Sequence, residues 1–247
     1  MSIEGFEDLM VGNLRFFRSY TTGPGVMLMH ELPGLTPACI ELAKRLAYDE
    51  GFRIYLPLLF GQPGDDSWRW NLAHVCLSRE FRVLASAKSS PITDKLRQLG
   101  QRMLKECDGK DIGVIGMCLT GGFVLSMLAD KGVVAGVCCQ PSLPLIPWGG
   151  RARSFGVAET ELGALKSNPR ARVLGLRFSE DRRCPPQRFM AMKDLLTDRF
   201  RAIEIPATDS SQHSTLTRDY REGEHRQHYD GVVEFLRSNL KPRQAST

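Results

Sequence analysis

Short apolar runs that alternate with amphipathic stretches constrain the fold of this chain more than any other feature of its sequence. The apolar runs have the length of buried strands and lie at residues 25–30, 52–56, 111–116, 133–139, 172–178 and 200–205. Helical periodicity appears at residues 37–48, 93–106, 119–130, 187–196 and 226–240. Strands that alternate with helices predict an α/β fold, in which a mostly parallel sheet is flanked by helices on both faces.

The length of the chain favours one domain over residues 1–247. A single α/β unit often has about 200–250 residues, and no repeat or linker divides this sequence. We expect a core over about residues 12–240 and a disordered polar tail at residues 241–247. Residues 142–168 are rich in proline and glycine and have little periodicity, which predicts a lid or a long loop near a site.

Charge and cysteine usage exclude several classes of protein. The basic residues behind the net charge of +5 are spread along the chain, without the interleaved aromatic residues of a nucleic-acid platform. No apolar stretch approaches the ~18 residues of a membrane span, and acidic residues stand where a signal peptide would carry basic ones. The seven cysteines form no CxxC pair. We therefore expect a cytoplasmic monomer or small homo-oligomer with reduced thiols, without a metal, a cofactor, or a nucleic-acid or membrane partner.

One tight turn between a predicted strand and a helix has the residues of a nucleophile elbow. The segment Gly-Met-Cys-Leu-Thr-Gly-Gly occupies residues 116–122. Such a turn raises its central residue, here Cys118, to a helix N-terminus that favours an anionic nucleophile, and the N–H of Leu119 can bind an oxyanion. Thr120 stands where the usual motif has glycine, and it fits if its Cβ points away from the neighbouring strand. Alternatively, Cys118 is a small buried residue in an ordinary turn.

A nucleophilic cysteine needs a base, and that base needs a carboxylate to orient it. In a hydrolase with this elbow, the chain order is nucleophile, acid, histidine. Asp181 and His213 each follow a predicted strand, at the edge where parallel sheets bind ligands, and are the candidate acid and base. Glu180 is a rival acid. His225 and His228 are rival bases, although we expect both to be solvated on the last helix.

The turn after the first predicted strand supplies a further candidate. It reads His-Glu-Leu-Pro-Gly at residues 30–34, where an oxyanion loop is expected, and the N–H of Leu32 is the candidate second donor. Glu31 would then point into the site beside the thiol, where a carboxylate is costly unless it has partners. Alternatively, Glu31 caps the following segment or pairs with a surface arginine.

In combination, these motifs resemble the dienelactone hydrolase family, which includes the carboxymethylenebutenolidases. The resemblance rests on Glu31 in H-E-x-x-G-L, Cys118 in G-x-C-L, Asp181 in D-x-x-x-P and His213 in H-S, and it runs over about residues 12–240. It implies an α/β-hydrolase fold with a catalytic triad of Cys118, His213 and Asp181. It also implies that Glu31 bonds the resting thiol until a substrate displaces it.

The resemblance further implies two arginines that hold a substrate carboxylate. One follows the histidine by a few residues, which indicates Arg218. The other precedes the helix at residues 93–106, where Arg69, Arg79 and Arg82 compete.

The expected function is hydrolysis of a small lactone or activated carboxylic ester, neutral or anionic, through a thioacyl intermediate. A catalytically silent binding protein on the same fold is one alternative. An esterase or thioesterase with a different substrate is the other.

Overall fold

The computed structural model describes residues 2–66, 91–142 and 152–240. Its strands are β1 (Phe6–Val11), β2 (Leu14–Ser19), β3 (Gly25–Met29), β4 (Arg53–Pro57), β5 (Ile112–Met117), β6 (Val133–Cys139), β7 (Arg172–Phe178) and β8 (Phe200–Ile205). Its α-helices are α1 (Pro37–Lys44), α2 (Pro91–Glu106), α3 (Gly121–Met127), α4 (Glu159–Ser167), α5 (Pro186–Leu196) and α6 (Glu222–Asn239).

The eight strands form one sheet in the order β1-β2-β4-β3-β5-β6-β7-β8. The six strands that the sequence predicts are all parallel to one another. The sequence patterns did not predict β1 and β2, which add an antiparallel hairpin at one edge of the sheet. The fold prediction is therefore confirmed, and the carboxyl ends of the parallel strands share one edge at which loops can assemble a site.

Helices cover both faces of this sheet. The core on one face includes apolar residues of α2, α3 and α5, while the core on the other face includes those of α1 and α6. Cys138 and Cys139 show the alternation directly, since Cys138 packs in the first core and Cys139 in the second. Both faces of the parallel part of the sheet are thus buried, which explains why its strands are continuous apolar runs in the sequence.

One region differs from the sequence prediction. Residues 142–168 are not one long loop, because α4 occupies Glu159–Ser167 within them. Its inward face includes Glu161, which accepts a hydrogen bond from Arg97 at 2.7 Å and one from Ser126 at 3.0 Å. A buried charge on the inward face breaks the apolar periodicity that would have revealed the helix. The predicted tail at residues 241–247 lies outside the described residues.

Two further observations concern the cysteines and the helices of the described part of the chain. Its six cysteines are all free thiols. None of its helices combines the length and the apolar character that crossing a membrane requires.

Candidate active site

Cys118 occupies a strained turn directly after β5. Its φ is +53°, a left-handed conformation that a residue with a Cβ rarely adopts. The turn also needs glycine at position 116, because a Cβ there would lie 2.4 Å from the carbonyl oxygen of Thr120. A short 3₁₀ turn, Cys118–Thr120, then leads into α3. This is the geometry of a nucleophile elbow, with a half-buried thiol at its tip.

Thr120 fits the elbow in a way that the sequence did not predict. Its hydroxyl accepts a hydrogen bond from the N–H of Met117 at 2.8 Å. The same hydroxyl lies 3.0 Å from the carbonyl oxygen of Met29 at the end of β3, to which it can donate. The side chain therefore faces a neighbouring strand instead of pointing away from it. Its fit depends on the hydroxyl, which satisfies backbone groups that a glycine would leave to other partners.

Asp181 and His213 form a buried pair. Asp181 Oδ2 lies 2.6 Å from His213 Nδ1, and the two residues are 2% and 3% exposed. The N–H of Arg183 donates to the other carboxylate oxygen of Asp181 at 2.9 Å. Since Nδ1 donates to the carboxylate, Nε2 is the ring atom left to act as a base. The rival acid, Glu180, is exposed.

The thiol, the imidazole and a third group converge at one point. Cys118 Sγ, a ring nitrogen of His213 and a carboxylate oxygen of Glu31 all lie within 4.8 Å of one another. His213 Nε2 is buried and has no hydrogen-bond partner of its own among the nitrogen and oxygen atoms of the described residues. The structure thus brings together four of the residues that the sequence predicted, from four separate loops.

The thiol changes the acid–base properties of the imidazole. Burial by itself lowers the pKa of His213, but the charge on Cys118 and the hydrogen bond to Asp181 outweigh it and raise that pKa to about 9. An imidazole with this pKa holds a proton at neutral pH. The arrangement therefore favours a protonated imidazole beside the thiol.

Glu31 is buried among neutral donors. Its Oε2 accepts hydrogen bonds from Gln140 Nε2 and Ser214 Oγ, both at 3.0 Å, and its Oε1 accepts one from Thr217 Oγ1. These bonds stabilise a carboxylate that is only 5% exposed. Among the described residues, the thiol of Cys118 forms hydrogen bonds with Ser142 Oγ, at 2.9 Å, and with the His213 ring, but none with Glu31. This differs from the bond between Glu31 and the resting thiol that the resemblance implies.

Sequence reasoning missed Gln140 and Ser142, which follow β6. Gln140 is fully buried at a φ of +34°. Its Oε1 accepts from both the hydroxyl and the N–H of Thr215, at 2.6 and 3.2 Å, so its amide links Glu31 to the loop that carries His213. Their position after a parallel strand, at the edge where the other candidates stand, is the signal that could have identified both.

Asp219, in the loop that carries His213, was also missed. Its Oδ2 accepts hydrogen bonds from the N–H groups of His213 and Ser214, both at 2.8 Å. Two backbone donors on one carboxylate oxygen fix the start of this loop, and with it the direction of the imidazole. An aspartate in a polar loop has no sequence feature that would distinguish this role.

His30 supports the turn that carries Glu31. Its Nε2 accepts from the N–H of Leu59 and its Nδ1 donates to the carbonyl oxygen of Glu31, both at 3.1 Å. Burial lowers the pKa of His30 to about 4, so the ring is neutral near pH 7. It is a structural residue, with both ring nitrogens occupied.

A cleft of about 450 Å³ opens beside the site. It is lined by Glu31, Leu32, Pro33, Thr36, Pro37, Ala38, Asp66, Ser214, Thr217 and Arg218. Leu32 is thus placed at the cleft, while Leu119 is buried in the elbow. Another cleft, of about 420 Å³, lies beside Arg53 and Glu106 at the amino ends of the parallel strands and contains none of the candidate residues.

Arg218 is exposed at the rim of the cleft and pairs with Asp219 at 3.3 Å. The hydrogen bond to Asp219 and, to a smaller extent, the charges of Glu31 and Cys118 raise the pKa of Arg218. Arg218 therefore lies within electrostatic reach of the site. The other candidate arginines, at positions 69, 79 and 82, lie outside the described residues.

The rival histidines do not join the site. His225 is buried, contrary to the prediction that it is solvated. Its Nδ1 accepts from the N–H of Arg221 at 3.0 Å, and its ring packs edge-on against Phe178, 5.4 Å between centroids. Satisfying a free N–H at the start of α6 explains the inward position of this side chain. His228 is partly buried on the same helix.

Comparisons with known proteins agree with the fold. The chain superposes with a TM-score of 0.68 on the crystal structure of a "Putative Dienelactone Hydrolase" from Klebsiella pneumoniae, at 18% identity over 94% of this chain and 98% of that one. It superposes with a TM-score of 0.61 on a dienelactone hydrolase-like promiscuous phosphotriesterase from metagenomic libraries, at 17% identity over 96% and 98% of the two chains. At these identities the likeness concerns the fold alone.

The sequence comparisons each cover about half of this chain. A "Putative carboxymethylenebutenolidase" of Saccharomyces cerevisiae is 28% identical over 120 residues, which make up 48% of this chain and 44% of the yeast protein. The match thus spans under half the length of that relative. The model of the dienelactone hydrolase family matches residues 15–146, which include Glu31 and the elbow at Cys118. This chain therefore belongs to the dienelactone hydrolase family.

Proposed function

We propose that this protein hydrolyses small lactones or activated carboxylic esters, with Cys118 as nucleophile, His213 as base and Asp181 as the residue that orients the base. One observation carries the proposal. A thiol held at positive φ in a strand–turn–helix elbow lies within 4.8 Å of an imidazole whose other nitrogen is 2.6 Å from a buried carboxylate. Nucleophile, base and orienting acid are the parts that acyl transfer through a covalent intermediate needs.

In the first half of the reaction, the Cys118 thiolate attacks the carbonyl carbon, and the carbonyl oxygen becomes an oxyanion. The N–H groups of Leu32 and Leu119 are the proposed donors to it, each contributing on the order of 3 kcal/mol. When the tetrahedral intermediate collapses, the carbon–oxygen bond breaks, and the leaving alkoxide or enolate takes the proton held on His213. A thioacyl group remains on Cys118.

In the second half, His213 accepts a proton from water as the water attacks the thioacyl carbon. The carbon–sulfur bond then breaks, the thiolate is restored with its imidazolium partner, and the product leaves as a carboxylic acid. Asp181 stabilises the imidazolium in both halves through its bond to Nδ1. A thiolate is also a good leaving group, which favours activated substrates such as enol lactones over amides.

The cleft suggests the size and charge of the substrate. Its volume of about 450 Å³ suits a small molecule, and Arg218 at its rim favours a substrate that carries a carboxylate. We further propose that one catalytic domain does this in the cytoplasm, where the free thiols of the described residues would stay reduced.

A panel of small lactones and esters, each with and without a carboxylate, tests the proposal. We expect turnover of the activated members, with a preference for the anionic ones. Cys118→Ala abolishes this turnover, while Cys138→Ala, which removes a fully buried thiol from the core, retains it in the folded fraction. Full activity in the Cys118→Ala variant would refute the mechanism.

A further inference from the structure

The thiol, the imidazole and Glu31 also have the composition of a metal site. Their three donor atoms, one sulfur, one nitrogen and one oxygen, lie within 4.8 Å of one another. Each atom is of a type that binds zinc in proteins. Three protein ligands with one position left open is also the pattern of zinc sites that keep an exchangeable ligand.

Two of the three ligand groups, His213 and Glu31, are available to bind a cation. His213 Nε2 is buried in a residue that is 3% exposed, and among the described residues no nitrogen or oxygen atom bonds it. The carboxylate of Glu31 has about four lone-pair positions and accepts three hydrogen bonds, from Gln140, Ser214 and Thr217. A cation can therefore take a lone pair of Glu31 without displacing a hydrogen-bond donor, and the lone pair of His213 Nε2 once the proton on that nitrogen is released.

We propose that Glu31, Cys118 and His213 bind a thiophilic divalent cation of the zinc type, and that its binding reversibly inactivates the catalytic centre. The cation takes the place of the proton that Cys118 and His213 share and forms bonds to Cys118 Sγ, His213 Nε2 and a carboxylate oxygen of Glu31, so that one proton is released to solvent. It occupies a lone pair of the nucleophile and the nitrogen of the base. Acyl transfer and metal binding are then mutually exclusive.

The geometry asks for only small adjustments. In a tetrahedral site with metal–ligand bonds of about 2.0–2.3 Å, the ligand atoms lie closer to one another than the 4.8 Å within which these three atoms lie now. Rotation about the bonds of the three side chains would close this difference. A thiolate and an imidazole select zinc or copper over magnesium or calcium, which prefer oxygen ligands only.

Cobalt(II) is the probe that reports the ligands directly. We expect the chelator-treated full-length protein to bind one Co²⁺ per chain, with a thiolate-to-cobalt charge-transfer band in the near ultraviolet and the strong visible bands of a tetrahedral ion. Added Zn²⁺ removes these bands by competition. Cys118→Ser, a nearly isosteric change, loses the charge-transfer band, and Glu31→Gln weakens cobalt binding by about tenfold or more.

Cys107→Ser is the matched control, because Cys107 is a thiol of the amino-end cleft, away from the site. This variant keeps the cobalt spectrum. A charge-transfer band that persists in Cys118→Ser, or a protein that binds no cobalt at millimolar concentration, would overturn the proposal.

The inhibitory part of the inference rests on the proposed hydrolase activity, whereas the binding part does not. We expect zinc buffered at micromolar concentration to abolish ester turnover in parallel with cobalt displacement, and a chelator to restore it. Full turnover with zinc bound to Cys118 would overturn the inhibition. Because the cobalt spectrum measures binding without any substrate, its result is separate from whether the metal-free protein hydrolyses esters.

Discussion

His30 and His213 both follow strands whose carboxyl ends lie at the edge of the sheet that carries the candidate site. Yet the pKa values of their imidazoles are shifted in opposite directions. His30 has a pKa near 4 and His213 a pKa near 9. Burial is the largest influence on both rings, and it lowers both pKa values. What differs is the partners, which are a backbone N–H and a carbonyl for His30, but a carboxylate and a thiol for His213.

The comparison shows how one residue type serves two purposes in neighbouring loops. A ring with two neutral backbone partners stays neutral and holds a turn in place. A ring with one anionic partner and one ionisable thiol gains a proton that it can transfer. The difference is therefore testable by removing either ring or by changing the charges around it.

The largest expected effect is the loss of catalysis on replacement of His213. His213→Ala lowers kcat/KM for an activated ester by about 10³-fold or more, since no other group can take the proton in either half-reaction. His228→Ala, on α6 away from the site, is the control and keeps full activity. Steady-state kinetics on variants of verified circular dichroism would measure both. A loss below tenfold would contradict the role of His213 as base.

The next effect is on stability, and it belongs to His30. His30→Ala lowers the free energy of unfolding by about 3 kcal/mol, because it leaves a cavity and takes the partners from two backbone groups, the N–H of Leu59 and the carbonyl oxygen of Glu31. Urea unfolding measures this, and His228→Ala again serves as the control, within about 0.5 kcal/mol of the parent. An equally small change for His30→Ala would show that the turn does not depend on this ring.

The two rings should change the stability of the fold with pH in opposite directions. The folded pKa of His30 is below its ordinary value of 6.5, so its contribution to stability is present above pH 6.5 and is lost as the pH falls through about 4, by roughly 3 kcal/mol. The folded pKa of His213 is above 6.5, so its contribution is present below pH 6.5 and is lost as the pH rises through about 9.

Histidine ring resonances in an NMR titration would measure both pKa values directly. In Cys118→Ser, the pKa of His213 should fall, because a hydroxyl supplies no negative charge near neutral pH, while that of His30 should not change. Two rings that both titrate near 6.5 would remove the basis of the comparison.

The smallest expected effect concerns the thiol itself. Ser142→Ala removes the hydroxyl at 2.9 Å from Cys118 Sγ but keeps the backbone bond from the N–H of residue 142 to the carbonyl oxygen of Cys118, at 3.0 Å. We expect the alkylation rate of Cys118 by iodoacetamide at neutral pH to fall by a few-fold, since a hydrogen bond to a thiolate favours the charged form. Ser210→Ala, on the exposed part of the loop before His213, is the control. An unchanged rate would show that Ser142 only packs there.

The sequence predicted the parallel strands and the order of the candidate residues because both depend on local patterns. Continuous apolar runs identify strands that are buried on both faces, and residues that follow such strands must meet at one edge. It also indicated Cys118 as the candidate nucleophile, since glycine at position 116 and the small residues after the cysteine are a local steric requirement. The sequence left Glu180 as a rival to Asp181, and the exposed position of Glu180 favours Asp181.

The contacts around Glu31 could not be predicted in the same way. Gln140 and Thr217 lie 109 and 186 residues away from it along the chain. Which of many polar side chains reaches a buried carboxylate depends on how loops from different strands pack. For the same reason, helix α4 was missed, because its buried Glu161 is stabilised by Arg97 from another helix.

The amino-acid pattern therefore specified a parallel α/β sheet and a cysteine–histidine–aspartate set, because backbone periodicity and turn sterics are properties of neighbouring residues. Tertiary packing specified the rest. It left the His30 ring neutral and the His213 ring protonated near pH 7, placed Ser142 beside the thiol and enclosed Glu31 among neutral donors. A pKa or a hydrogen bond in a buried site depends on which distant groups surround it, and only the folded chain brings those groups together.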